Sequence, residues 1–175
     1  MTHVGAVTQA AAPLSPVGPV EVTVLGVGNP IMGDDGVGLE LLAAVQAARP
    51  DVRIEYIDGG TGGMELLPVV QDARRLLILD AVAGGEPGTV RTFGGDQVPR
   101  LLAAKLSPHQ VGLLDVFAAA RLLGREPHDV EVVGVVPESV DLRLGLSAVV
   151  ASAVVAGAAA AITVLDGWLE PVVEA

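Results

Sequence analysis

The chain has 175 residues and no cysteine, and its ten basic residues are outnumbered by 21 acidic ones, for a net charge of −11. This length predicts one domain with a sizeable core. The acidic balance argues against binding to nucleic acid or anionic membranes, and the absence of cysteine excludes disulfides, a thiolate nucleophile and cysteine-ligated zinc.

Two stretches could be mistaken for membrane-directed segments. Residues 1–20 are uncharged but proline-containing and lack a basic start, so we predict a disordered tail rather than a signal peptide. Residues 144–165 are also uncharged, but they are mostly small and have no flanking basic cluster. We predict a helix buried against a sheet there, with Ser147 as its N-cap and Gly167 at its end.

Apolar periodicity and turn residues predict alternating strands and helices along the chain. The predicted strands cover 21–27, 53–57, 75–79, 89–93 and 130–136. The predicted helices cover 36–49, 64–72, 107–123 and the uncharged stretch, and the third begins with a capping box at 107–110. This order predicts a three-layer α/β domain at residues 21–167, followed by a C-terminal tail at 168–175.

Acidic residues follow four of the predicted strands. If those strands run parallel, their carboxyl ends meet at one edge of the sheet, where ligands bind in such folds. A helix that begins at the Ser107-Pro108-His109-Gln110 segment could bring a histidine to the same edge. The acidic candidates are Asp34 and Asp35 in the glycine-rich segment 26–38, Asp58, Asp80 and Glu138.

Asp35, Asp80 and His109 together would supply two carboxylates and an imidazole. This donor set suits a divalent metal with an open coordination position. The positive end of the helix dipole disfavours a protonated imidazole, which keeps a lone pair available for a metal. A bound metal could polarise a carbonyl or activate water, and a carboxylate alone could act as a general base.

Each candidate also has a structural interpretation. One of the adjacent aspartates could cap the following helix, Asp58 could order its glycine-rich loop, and Glu138 could hold the loop after the fifth strand. His109, taken alone, resembles an ordinary histidine of a helix start. Asp80 is hardest to explain structurally, because it ends an apolar strand.

Five segments, in this order, resemble the hydrogenase maturation endopeptidases. The resemblance covers about residues 21–166, and the combination of segments is far more specific than any one of them. The matching segments are Gly26–Gly38, Asp58–Leu67, Leu77–Ala81, Leu106–Leu113 and Val133–Ser139.

The resemblance implies a single domain with a twisted, mostly parallel five-stranded sheet between helices, a phosphorylase/hydrolase-like αβα fold. It also implies an endopeptidase of the cytoplasm that removes a C-terminal extension from the nickel-loaded large-subunit precursor of a nickel–iron hydrogenase. The family's metal-contacting residues fall on Asp35, Asp80 and His109, and the first of them is often glutamate in the family. No organic cofactor, nucleic-acid partner or membrane partner is expected.

Several hypotheses remain open at this point. The metal could be nickel presented by the precursor, which we favour, or zinc bound by a conventional metalloprotease. A maturation chaperone that binds nickel or precursor without cleaving it is the main alternative function. A dinucleotide-binding domain is disfavoured, because Ile31 stands where the third glycine of that fingerprint belongs.

Overall fold

A computed structural model describes residues 19–95, 97–98 and 108–169 of the chain, with the main chain alone at 108–111. Its five strands are β1 (Val22–Val27), β2 (Ile54–Gly60), β3 (Arg75–Ala81), β4 (Val90–Gly94) and β5 (Asp129–Val135). Its longer helices are α1 (Val37–Ala48), α2 (Leu67–Asp72), α3 (Pro108–Leu122) and α4 (Ala148–Leu169). Short 3-10 turns at Gly33–Gly36 and Met64–Leu66 lead into α1 and α2.

The strands form one sheet in the order β2-β1-β3-β5-β4. β1, β2, β3 and β5 are parallel, and β4 pairs antiparallel with β5 at one edge. The predicted mostly parallel, five-stranded α/β sheet is confirmed. The carboxyl ends of β1, β2, β3 and β5 consequently meet at one edge, which we call the carboxyl edge.

Alternating side chains of the strands divide the core into two layers. Val24 and Leu77 face one layer, which α1 and α4 cover, whereas Leu25 and Leu76 face the other, which α2 and α3 cover. β3 is buried on both faces, because helices cover the sheet on each side. The predicted three-layer arrangement is therefore observed.

The observed bounds differ from the predicted ones at two functionally interesting positions. β2 continues through Asp58 to Gly60 with a register shift against β1, so Asp58 lies within a strand rather than after one. β3 likewise includes Asp80. Both strands run further because main-chain pairing with their neighbours continues past the apolar residues that mark them in the sequence.

α4 contains the uncharged stretch that resembles a membrane span. It is long and apolar enough to cross a bilayer, but one face packs against α1 and the sheet. Gly157 makes this close approach feasible, since a Cβ there would lie 2.6 Å from Cδ2 of Leu41. The helix continues through Gly167 to Leu169, two residues into the predicted C-terminal tail.

Candidate active site at the carboxyl edge

Close packing of glycines seats α1 on the sheet at the carboxyl edge. Gly28 has a φ of 141°, and a Cβ there would lie 2.0 Å from the carbonyl oxygen of Asp35. A Cβ on Gly38, in the first turn of α1, would lie 2.1 Å from the Val27 oxygen and 2.3 Å from the Leu79 oxygen. Side chains larger than hydrogen would push the helix off the ends of β1 and β3. The preceding 3-10 turn also contacts β3.

Two of the three predicted metal ligands, Asp35 and Asp80, are buried at this edge. The Oδ2 atom of Asp35 accepts a hydrogen bond of 3.0 Å from the main-chain N–H of Asn29. The Oδ1 atom of Asp80 accepts one of 2.7 Å from the N–H of Ala81. Carboxylates are costly to bury, so two of them at one edge point to a site that handles positive charge.

The adjacent Asp34 has a different environment. It is fully buried, and its carboxylate accepts hydrogen bonds from the main-chain N–H groups of Glu138 at 2.9 Å, Ser139 at 3.1 Å and Ser147 at 2.6 Å. The Ser147 hydroxyl donates a fourth bond, of 2.8 Å. Asp34 thereby fastens the β5–α4 loop, residues 136–147, to the turn that carries Asp35.

The pKa of Asp34 reflects this set of donors. Burial alone would raise the pKa, but the hydrogen bonds from Ser147, Ser139 and Glu138 outweigh burial and hold it below its ordinary value. Asp34 is consequently a stable anion at neutral pH, because four hydrogen-bond donors stabilise its carboxylate. This arrangement suits a structural anchor better than a group that must exchange protons.

His109, the third predicted ligand, belongs to the first turn of α3, and its side chain lies outside the described residues. The main chain brings that turn to the carboxyl edge, because a Cβ on Gly112 would lie 3.2 Å from the Cα of Gly63 in the loop after β2. Among the side chains that the structure describes, no three acidic or histidine residues are arranged to hold a metal. The complete three-ligand set stays a prediction.

Asp58 and Glu138 have exposed side chains. The Oδ1 atom of Asp58 accepts a 2.9 Å hydrogen bond from the N–H of Gly60, which orders the glycine-rich end of β2. Glu138 contributes its main-chain N–H to Asp34. α1 begins after Gly36 without a side-chain cap, so neither Asp34 nor Asp35 caps this helix.

The sequence did not reveal the partners of Asp34. Ser147 was predicted as the N-cap of α4, and its Oγ atom does accept the N–H of Val150 at 3.4 Å. The same hydroxyl also donates to Asp34, which periodicity could not indicate. One sequence feature did point to this region, because Glu138 and Ser139 end the family-like segment Val133–Ser139.

Comparisons with known proteins identify relatives of this chain. The HycI hydrogenase maturation protease family model covers residues 39–164. Hydrogenase 2 maturation protease of Escherichia coli K12 is 38% identical over 132 residues, or 73% of this chain and 80% of that protein. The hydrogenase expression/formation protein HupD of Rhizobium leguminosarum bv. viciae is 34% identical over 160 residues, or 89% and 79% of the two chains.

Solved structures agree. The hydrogenase-maturating endopeptidase HybD of E. coli has a TM-score of 0.78 at 36% identity, over 83% of this chain and 92% of that one. HybD from Thermococcus kodakarensis, a nickel–iron hydrogenase maturation protease, has a TM-score of 0.66 at 27% identity, over 82% and 97% of the two chains. This chain therefore belongs to the hydrogenase maturation protease family and is an endopeptidase.

Proposed function

We propose that this endopeptidase removes a C-terminal extension from a hydrogenase large-subunit precursor after nickel has been inserted. The observation that carries the proposal is the burial of Asp35 and Asp80 at the carboxyl edge, where the helix that bears His109 also begins. The relatives named above are maturation proteins of hydrogenases, which supports a hydrogenase precursor as the substrate. Cytoplasmic localisation stays a prediction.

We further propose that Asp35, Asp80 and His109 recognise nickel that the precursor itself carries. Two carboxylates and one imidazole are hard and borderline donors that suit a divalent ion such as nickel. Only one imidazole and no thiolate are offered, which favours an ion delivered by the substrate over one held permanently. Nickel is thus part of the substrate in this scheme.

The chemistry is hydrolysis of one peptide bond. A carboxylate at the site takes a proton from water, the resulting hydroxide adds to the scissile carbonyl, and the C–N bond breaks as the proton passes to the leaving amine. The substrate's metal can polarise that carbonyl or the water. The protein residues would hold the scissile bond in a fixed place relative to the metal, and this positioning would raise the rate of hydrolysis.

The test uses two forms of one precursor, nickel-loaded and nickel-free, and follows their intact mass during incubation with this protein. We expect the C-terminal extension to be lost only from the nickel-loaded form. Binding to the precursor without any loss of mass would instead favour the maturation chaperone.

Metal analysis distinguishes the two protease mechanisms. We expect the purified protein to cleave the nickel-loaded precursor without stoichiometric zinc. Zinc at one ion per chain, with activity lost when it is removed and restored when it is returned, would contradict recognition of the substrate's nickel and favour a conventional metalloprotease.

A further inference from the structure

The 3-10 turn Gly33–Gly36 has only two side chains, those of Asp34 and Asp35, and all four of its residues are buried. The Asp35 carboxylate accepts a hydrogen bond from the N–H of Asn29, just after β1. The Asp34 carboxylate instead accepts from four donors in residues 138–147, more than 100 residues further along the chain. Asp34 is therefore the side chain that links this turn to the β5–α4 loop and to the start of α4.

Main-chain contacts between the turn and the loop are close. The N–H of Gly33 donates to the Arg143 oxygen at 2.8 Å, and the N–H of Asp34 donates to the Ser139 oxygen at 3.0 Å. Gly33 has a φ of 55°, and a Cβ there would lie 3.0 Å from the same Ser139 oxygen. Because the two segments are in contact, a displacement of the loop also displaces the turn and the Asp35 carboxylate that it carries.

The helix to which Asp34 is bonded is a rigid support for the turn. Ser147 precedes α4, and its carbonyl oxygen accepts the N–H of Ala151 at 2.8 Å in the first turn of this 22-residue helix. The loop between β3 and β4 packs on the same helix end, since a Cβ on Gly88 would lie 2.8 Å from Cγ2 of Val149. A side chain held by a long packed helix is placed more precisely than one held by a loop alone.

We propose that Asp34 is a positioning residue for Asp35: its bonds to the β5–α4 loop and to Ser147 hold the turn where the Asp35 carboxylate can act in cleavage. The proposal rests on the proposed function, because it takes Asp35 as a residue of the active site. Asp34 is fully buried and both of its oxygens accept from protein donors, so it acts through Asp35 and does not contact the substrate. Groups that orient metal-contacting side chains commonly contribute about 10–100-fold to activity.

The variant that tests this role is Asp34→Asn, which keeps the size of the side chain. Its amide places oxygen on one side only, so its NH2 group faces either the Ser147 N–H or the N–H groups of Glu138 and Ser139. Two donors cannot satisfy each other, and the turn and the loop must move apart. We expect kcat for the nickel-loaded precursor to fall about tenfold or more, with KM within about twofold.

A matched control separates positioning from a general loss of stability. Leu165→Ala removes a fully buried side chain near the other end of α4 and lowers the thermal midpoint by opening a cavity. Its kcat should stay within about twofold of the wild type when both are assayed at a temperature at which circular dichroism shows each to be folded. If Asp34→Asn does not fold, Ser147→Ala provides the test, because it removes one of the four donors. Its kcat should lie below that of Leu165→Ala.

The amide of Asn29 reports on Asp35 without requiring cleavage, because it donates to Oδ2 of Asp35 at 3.0 Å. Its proton chemical shift, measured by NMR on the full chain, depends on that hydrogen bond. We expect the shift to change in Asp34→Asn or Ser147→Ala and to stay at its wild-type value in Leu165→Ala. A purely structural role of Asp34 would lower the thermal midpoint and leave this amide where it is.

The two measurements distinguish this proposal from the proposed function. If the wild type cleaves the nickel-loaded precursor, either a kcat equal to that of Leu165→Ala or an unmoved Asn29 amide would overturn the positioning role alone. No cleavage by the wild type, together with an Asn29 amide that moves in Asp34→Asn, would support the positioning of Asp35 and contradict the proposed function. Cleavage that Asp35→Asn leaves unchanged would contradict both.

Discussion

The two ends of the sheet hold their acidic residues in different ways. At the amino ends of the strands, aspartates pair with arginines, whereas Asp34, Asp35 and Asp80 at the carboxyl edge accept hydrogen bonds from main-chain N–H groups. An amide satisfies a carboxylate without cancelling its charge. The amino-end pairs are Arg49–Asp51 and Arg49–Asp166 at 2.9 Å, Arg53–Asp51 at 2.7 Å, Arg75–Asp129 at 3.3 Å and Arg125–Asp72 at 2.8 Å.

Asp51 and Asp34 show the same contrast in their pKa values. The hydrogen bond from the Arg53 side chain is the largest cause that lowers the pKa of Asp51, so a charged neighbour stabilises that anion. For Asp34, burial opposes ionisation, and uncharged donors from Ser147, Ser139 and Glu138 overcome it. Arginines therefore stabilise the Asp51 anion at the amino end, whereas uncharged donors stabilise the Asp34 anion at the carboxyl edge.

The largest expected effect is on the cleavage rate, which substitutions at the carboxyl edge should lower and a substitution at the amino end should not. We expect Asp35→Asn or Asp80→Asn to slow cleavage of nickel-loaded precursor at least about 100-fold, because the proposed mechanism uses each carboxylate to position the substrate's metal or to activate water. Asp51→Asn, at the amino end, should leave the rate within about twofold. Cleavage rates from intact mass, with circular dichroism to verify folding, measure both. Equal cleavage rates for the three variants would contradict the placement of Asp35 and Asp80, but not Asp51, in the catalytic site.

A second prediction concerns how α1 is seated on the carboxyl edge. Gly38→Ala should lower the free energy of unfolding by about 3 kcal/mol, because its Cβ would overlap main-chain oxygens of β1 and β3. The matched control is Gly167→Ala in α4, where a Cβ meets nothing within 4 Å. That change should stabilise the protein by about 0.5–1 kcal/mol, as alanine does in helices. Urea unfolding measures the two values, and similar effects would contradict this packing.

Asp34 gives a third prediction, on stability. Asp34→Ala should cost about 2 kcal/mol or more, because it leaves the buried N–H and hydroxyl of Ser147 without their acceptor. Cleavage should fall as well, since the β5–α4 loop loses its attachment to the turn that carries Asp35. Ser147→Ala removes the hydroxyl that donates to Asp34 and accepts from the Val150 N–H, but it keeps the main-chain N–H that donates to Asp34, so it should cost less than Asp34→Ala.

The pH dependence of stability tests the same residue. The folded pKa of Asp34 is lower than the unfolded one, so the unfolded state binds more protons in acid. Its contribution should be complete at neutral pH and should disappear as the pH falls below about 4, through the folded pKa. The stability of Asp34→Ala should therefore decline less than that of the wild type over this range, and parallel curves would contradict the assignment.

The smallest effect is expected at the amino end. Both side chains of the Arg125–Asp72 pair are exposed, Arg125 at 58% and Asp72 at 72%. Asp72→Asn should change the free energy of unfolding by no more than about 0.5 kcal/mol, because water screens such pairs. Urea unfolding at low and high salt measures it, and a loss above about 1 kcal/mol would show that the amino-end pairs contribute more than their exposure implies.

The sequence predicted the strands and helices because their apolar periodicity is local. It predicted Asp80 as exceptional, since an apolar run that ends in aspartate has few structural explanations. The sequence analysis assigned metal contact to Asp35 rather than Asp34, but periodicity could not reveal which groups surround each of these two aspartates in the same glycine-rich segment. The donors that separate them come from Glu138 and Ser147, 104 and 113 residues further along the chain, and only the folded arrangement brings them together.

The extension of β2 beyond its predicted end also depends on a contact between segments that are distant in the sequence. Asp58-Gly59-Gly60 has the composition of a turn, and local propensity predicts that the strand ends before it. Pairing with β1, which shifts register between Gly26 and Val27, carries the strand through these residues. Tertiary pairing outweighed local preference at this position, as it commonly does in β-strands.

The anchoring of the β5–α4 loop by Asp34 has a consequence for hydrogen exchange. The amides of Glu138, Ser139 and Ser147 belong to no strand, and Ser147 only precedes a helix, yet each donates to a buried charge. Exchange with solvent requires an opening that exposes this carboxylate and its other donors at once. We therefore expect the buried Ser147 amide to exchange as slowly as the central strands, and the partly buried amides of Glu138 and Ser139 to exchange faster than it.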